Sequence, residues 1–221
     1  MNSLYVLPIL LFSIVVHEIA HGCMALFLGD STARDSGRLT LNPIPHIDPI
    51  GSIAVPLLSY IAAGSVFIAW AKPVPVNPAN FRNFRRDDIL VSVAGPLSNL
   101  VLAFFCAMFY IVLVRLIGPI KLIENGLVRS MALFVIQMFV TGISLNIFLA
   151  VFNLIPVPPL DGSHILSALL SSKIAEQYRQ IGFFGILLVI LLMRFDPFRN
   201  IVISVVLILR MPLDILITLL T

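Results

Sequence analysis

The sequence predicts an all-α polytopic membrane protein with five to six transmembrane helices and a re-entrant hairpin segment at 51–76. Three observations carry the prediction. Of 221 residues, 59% are hydrophobic and 11% charged, with a mean hydropathy of +1.06, whereas soluble domains are roughly half apolar and a quarter charged. Apolar runs near 4–28, 51–71, 89–114, 131–155, 177–193 and 200–219 approach or exceed the ~20 helical residues that cross a hydrocarbon core. Only short polar connections lie between them, without repeats or low-complexity stretches, so residues 1–221 read as one membrane-embedded domain. The net charge of +3 comes from Lys and Arg beside the apolar runs, where topology and anionic headgroups use it, and a nucleic-acid partner has no support.

The first run lacks the basic flank of a secretory signal and is interrupted by His17 and Glu18, so it reads as a mature helix. The second leads into "FIAWAKPVPVN" at 67–77, whose alternating prolines suit an edge strand better than a helix. If all six runs crossed, the basic residues would divide almost evenly between the two sides. If 51–76 dips in and returns, Arg34, Arg38, Lys72, Arg82, Arg85, Arg86, Lys173 and Arg179 share a side against Arg115, Lys121, Arg129, Arg194 and Arg199, with Arg210 inside the last helix. The positive-inside rule favours the unequal division and makes the richer side cytoplasmic, with the N-terminus outside. The run at 89–114 carries "GPLSN" at 95–99, where Gly95 and Pro96 are expected to loosen the helix opening, and three prolines in "NLIPVPPLDG" at 153–162 end the next run. Cys23 and Cys106 fall inside predicted helices and read as buried free thiols.

The chemistry begins at "HEIAH", residues 17 to 21. On a helix advancing about 100° per residue, His17 and His21 project about 40° apart on successive turns, so both rings can reach one metal ion. Glu18 points about 100° away from His17, near enough to contact a water beside that metal without becoming a ligand. A chance match is common in soluble chains. At mid-membrane depth, however, three ionisable residues within five positions are costly and mark function. A catalytic zinc wants a third protein ligand, and Asp161 follows the proline run, where irregular backbone is tolerated only if buried in protein or lining a wet cavity. Asp161 could instead cap the helix that follows. Asn99, Asn146 and Asn153 put amides inside the membrane, either to bridge helices or to line a pocket. His46, in a Pro-rich turn, reads as structural or substrate-gating, and His164 as part of the helix after Asp161; neither is taken as a ligand.

His-Glu-x-x-His in one transmembrane helix, Gly-Pro-x-x-Asn in a later one and Asn-x-x-Pro-x-x-Pro-Leu-Asp-Gly at the end of the next resemble, in that order, the site-2 protease family of intramembrane zinc metalloproteases. The likeness covers residues 4–170 or so. It implies one Zn2+ per chain held by His17, His21 and Asp161, with Glu18 as general base and Asn99 or Asn153 as substrate or oxyanion contacts. Unlike better-known members, these 221 residues carry no PDZ or CBS module and no helix before the histidine motif, so regulation by appended domains does not carry over. The segments "GRLTLNPIPHIDPIGS" and "WAKPVPVNP" resemble a compact prokaryotic subgroup.

The expected function is therefore hydrolysis of peptide bonds in or near transmembrane segments of other proteins, with a transmembrane protein as substrate, the lipid bilayer as surroundings, and a prokaryotic cell (inner) membrane as location. Nothing in the sequence sets an oligomeric state. The rival readings are a metal carrier or channel, which would show ligands in tiers and often internal repeats, and a pseudo-protease that grips membrane proteins without cutting them, against which the intact Glu18 argues.

Overall fold

Helix caps and helix-breaking prolines divide the chain into elements that the apolar runs outline only coarsely. The computed structural model describes residues 5–54, 71–118, 125–182 and 184–221. Its α-helices are α1 (Val6–Phe27), α2 (Thr32–Asp35), α3 (Phe84–Ile117), α4 (Gly126–Asn153), α5 (Asp161–Leu169), α6 (Ser172–Arg179), α7 (Phe184–Arg194) and α8 (Asp196–Leu220), and no strand occurs among the described residues. Four helices, α1, α3, α4 and α8, are long and apolar enough to cross a membrane; α6 and α7 would add a fifth span only if the 79° bend between them were part of one crossing. Large apolar side chains face outward along these helices, including Phe27, Phe109, Leu116 and Leu207. This is the surface a lipid solvent requires, and the chain is a multi-pass membrane protein.

Helix α3 starts at Phe84, well before the GPLSN stretch expected to open it. The reason is a reciprocal cap: the Asn83 side chain accepts from Arg86 N–H, and the Asp87 carboxylate accepts from Asn83 N–H at 2.8 Å. The helix then runs through Pro96 and ends at Gly118, whose φ of 66° suits only glycine well. Asn125 caps α4 by accepting from Leu127 and Val128 N–H. The membrane core lies where α1, α3 and α4 meet, around Ile9, Ala103, Ala107, Ile143 and Ile147. Small residues allow that approach; a Cβ on Gly142 would stand 2.8 Å from Cys106 Sγ and 3.0 Å from Ile9 Cγ1. Cys106 is buried in this core as expected, whereas Cys23 is exposed on α1.

The apolar run at 177–193 does not form one spanning helix. Gly182, at φ 51°, breaks it into α6 and the eleven-residue α7, which at 1.5 Å per residue reaches only about 16 Å. Val189 of α7 packs with Ile155, just past α4, and with Val202 near the start of α8. At the far end of the bundle, Arg115 of α3 donates to the carbonyl of Leu220 at 2.6 Å. Helix α8 thus runs parallel to α3, and α6 and α7 stay at the end of the bundle where α1 and α4 finish. Arg194 and Arg199, expected on the opposite side, join this end for the same reason.

The hairpin expected at 51–76 has residues 55–70 outside the described residues. Its flanks meet at one end of the bundle: Arg38 Nη2 donates to the carbonyls of Lys72 at 2.8 Å and Pro73 at 3.3 Å, Lys72 N–H to His46 O at 2.9 Å, and Asn77 N–H to Asp30 Oδ2 at 2.7 Å. The described part of the expected edge strand, 71–77, forms no strand. Pro73 and Pro75 lack N–H donors, and the neighbouring donors at Lys72, Val74 and Asn77 are taken by His46, Glu18 and Asp30 instead of by a partner strand.

Candidate metal centre

Helix α1 presents His17 and His21 on adjacent turns, and the chain returns to them at Asp161, the first residue of α5. His17 Nε2 lies 3.1 Å from Asp161 Oδ2, His21 Nε2 lies 3.4 Å from Asp161 Oδ1, and the two Nε2 atoms are 3.0 Å apart. The cap of α5 is Leu160, with no side-chain capping bond. The Asp161 carboxylate is therefore turned toward the imidazoles rather than toward the backbone of its own helix.

Each ring is oriented from behind. His21 Nδ1–H donates to the carbonyl of Val91 at 2.7 Å, and His17 Nδ1–H donates to Asn99 Oδ1 at 2.5 Å. The Asn99 amide is held in turn, since its Nδ2 donates to Asn146 Oδ1 at 2.9 Å and Asn146 Nδ2 donates to the carbonyl of Gly142 at 2.9 Å. With both Nδ1 atoms protonated and bonded, both Nε2 lone pairs face Asp161. Two lone pairs and a carboxylate converging this closely call for a cation.

Asn99 is fully buried with both amide ends engaged, so it supports the His17 ring and does not face substrate as expected from the sequence. Asn153 is half-buried at the end of α4; its Nδ2 donates to Leu149 O at 3.0 Å, and its Oδ1 makes no hydrogen bond among the described residues. Glu18 is not one of the three converging residues; its Oε2 accepts from Val74 N–H at 2.7 Å. His46 is buried away from the cluster and bonded through Nε2 to Thr40 O at 3.0 Å. His164 pairs with Asp88 at 3.2 Å, which raises its pKa.

Gly95, expected from the sequence only to loosen the helix opening, instead makes room for both rings. A Cβ there would lie 2.4 Å from His21 Nε2 and 2.6 Å from His17 Cε1, so the glycine lets α3 press against both rings. The Gly-Pro-x-x-Asn motif set it one turn before Asn99 but did not show what it faces. Replacing Gly95 with Ala should tilt one imidazole and lower metal affinity by about 10- to 100-fold, as loss of an outer-shell support does. A chelator titration of the folded variant measures this, and wild-type resistance to chelator would mean that the rings have room.

The model of peptidase family M50 matches residues 82–193. Over 188 residues the chain is 38% identical to the protein of Bacillus subtilis named zinc metalloprotease YwhC, covering 85% of this chain and 79% of that one. The chain belongs to peptidase family M50, the site-2 protease family. This M50 chain is also 29% identical over 187 residues to the zinc metalloprotease Rip2 of Mycolicibacterium smegmatis, covering 83% of this chain and 64% of that one. No solved structure matches it. The M50 chain is thus a zinc metalloprotease, and its donor set fits the ion. His17, His21 and Asp161 offer ligand atoms all within 4.8 Å of one another. Asp161 Oδ2 is buried without a hydrogen bond of acceptable geometry, and two imidazoles with one carboxylate are a usual catalytic zinc set.

Proposed function

We propose that the chain is an intramembrane endopeptidase of regulated proteolysis, cutting peptide bonds in or near transmembrane segments of other membrane proteins. The observation that carries this reading is that both histidines lie on α1, a helix long and apolar enough to cross a membrane, and are backed by α3 and α4, which are spanning helices too. A peptide reaching such a site comes from within the bilayer or from its edge. When bound, zinc polarises the scissile carbonyl and acidifies water. His17, His21 and Asp161 would hold the ion, Glu18 would take a proton from the water that attacks the carbonyl carbon and return it to the amine as the C–N bond breaks, and Asn153 would contact the substrate or the developing oxyanion. Asn99 fixes His17.

The end of the bundle that bears the site faces the cytoplasm in this proposal, across a prokaryotic cell membrane. Charge supports it. Arg34, Arg38, Lys72, Arg82, Arg85, Arg86, Lys173, Arg179, Arg194 and Arg199 gather at that end, whereas Arg115 and Arg129 mark the other. Single cysteines placed in 34–48 and 77–86, after Cys23 and Cys106 are replaced, should react with a membrane-impermeant thiol reagent only from the cytoplasmic side. Labelling from outside would invert the proposed topology.

The function itself is tested by co-reconstituting the protein in liposomes with single-span substrates. Products should appear with zinc, vanish with chelator, and map to the spanning segment or its flanks. Cleavage confined to soluble peptides would overturn the intramembrane reading.

A further inference from the structure

The peptide joining Pro73 to Val74 is held from both sides. Its carbonyl accepts from Arg38 Nη2 at 3.3 Å, and its N–H donates to Glu18 Oε2 at 2.7 Å. Arg38 is itself buried and also holds the preceding carbonyl, that of Lys72, at 2.8 Å. The Val74 side chain is buried in a seat that Gly22 opens: a Cβ on Gly22 would stand 2.9 Å from Val74 Cγ1 and 2.6 Å from Leu39 Cδ2. Glu18 and Gly22 are four residues apart and share one face of α1, so the same stripe of the helix both receives the limb and bonds to it. The flanking prolines carry no N–H and push Val74 toward extended backbone. Val74 therefore supplies the sole backbone donor between Lys72 and Val76.

We infer that the Val74 N–H, clamped by Arg38 and seated at Gly22, is a positioning group for Glu18. It holds one carboxylate oxygen and leaves the other to exchange a proton beside the ligand atoms of His17, His21 and Asp161. A glutamate on a membrane helix has three side-chain torsions; one fixed oxygen removes most of that freedom before substrate arrives. The inference rests on the general-base role proposed for Glu18. It also assigns a function to the "KPVP" stretch, in which a single donor stands between two prolines.

The test replaces the Val74 amide by an ester. Val74→α-hydroxyvaline, introduced by nonsense suppression, removes the N–H and keeps the side chain, while Val74→Ala keeps the N–H and trims the side chain. With a reconstituted single-span substrate, the ester should lower kcat about 10- to 100-fold at unchanged KM and unchanged zinc content, the range seen when an outer support of a catalytic group is lost. Val74→Ala, which keeps the N–H but empties part of the seat at Gly22, should lose less kcat than the ester. An independent readout needs no substrate: in 15N-valine-labelled protein the Val74 amide proton should move upfield in Glu18→Gln and stay in place in Glu176→Gln. Full kcat in the ester variant of a protein whose wild type cleaves, or a Val74 resonance indifferent to Glu18→Gln, overturns the inference. A wild type that cleaves no membrane substrate overturns the protease reading instead, and the resonance still reports whether the bond exists.

Discussion

Glu18→Gln is expected to reduce proteolysis by about 10²- to 10⁴-fold, the usual contribution of a positioned acid–base group, while the chain still binds one zinc with wild-type affinity. The two halves of this result separate because Glu18 is not among the three converging residues; its carboxylate bonds to Val74 N–H, and the cluster is complete without it. Gln keeps the size and can still accept from Val74 N–H, so the limb at 71–77 should stay docked and the fold intact. What it loses is the capacity to take a proton. His17→Ala and His21→Ala should lose metal and activity together. Cleavage by Glu18→Gln at a rate comparable to wild type would mean that another group moves the proton. The variant should be assayed as a zinc-loaded reconstituted protein, with metal content read by mass spectrometry on the same preparation.

How much of this was legible beforehand depends on what kind of signal each residue leaves. The histidines and Glu18 were readable because helix geometry ties spacing to direction, and because charge inside a lipid-facing run is costly enough to demand a reason. The long apolar runs located α1, α3, α4 and α8 well. The run at 177–193 misled because hydropathy measures the solvent a segment prefers and not its path. Gly182 and the packing of Val189 against Ile155 keep that segment at one end of the bundle. Recognising this moves Arg194 and Arg199 across and strengthens the charge asymmetry.

The start of α3 was missed for a different reason. Asn83 and Asp87 form a cap in a stretch too polar to look membranous, so the apolar run began several residues late. Asn99 was placed in the right neighbourhood with the wrong task, since a sequence shows that an amide is buried but not which of its neighbours uses it. Gly95 is the extreme case, because its contribution is the absence of a side chain where two imidazoles stand.

Asp161→Ala should lower zinc affinity by about 10²-fold or more, since two imidazoles alone make a poor site for an ion that prefers three protein ligands. Had Asp161 been a helix cap, its loss would cost about 1 kcal/mol of stability and leave metal binding alone. The side chain makes no capping bond, and Leu160 occupies the cap position. The variant should therefore fold with unchanged helix content and melt close to wild type in the zinc-free state. A companion substitution tests whether placement or charge matters. Gly162 lies against the end of α4, and a Cβ there would stand 2.2 Å from the carbonyl of Leu154. Gly162→Ala keeps the carboxylate but must push the start of α5 away from that carbonyl, carrying Asp161 off the imidazoles. Reduced zinc affinity in both variants, with the histidines intact, is the result expected of a ligand delivered by a tightly seated turn. Full zinc occupancy in folded Asp161→Ala under chelator competition would remove Asp161 from the site, and the search for the third ligand would then pass to His164, which shares its helix.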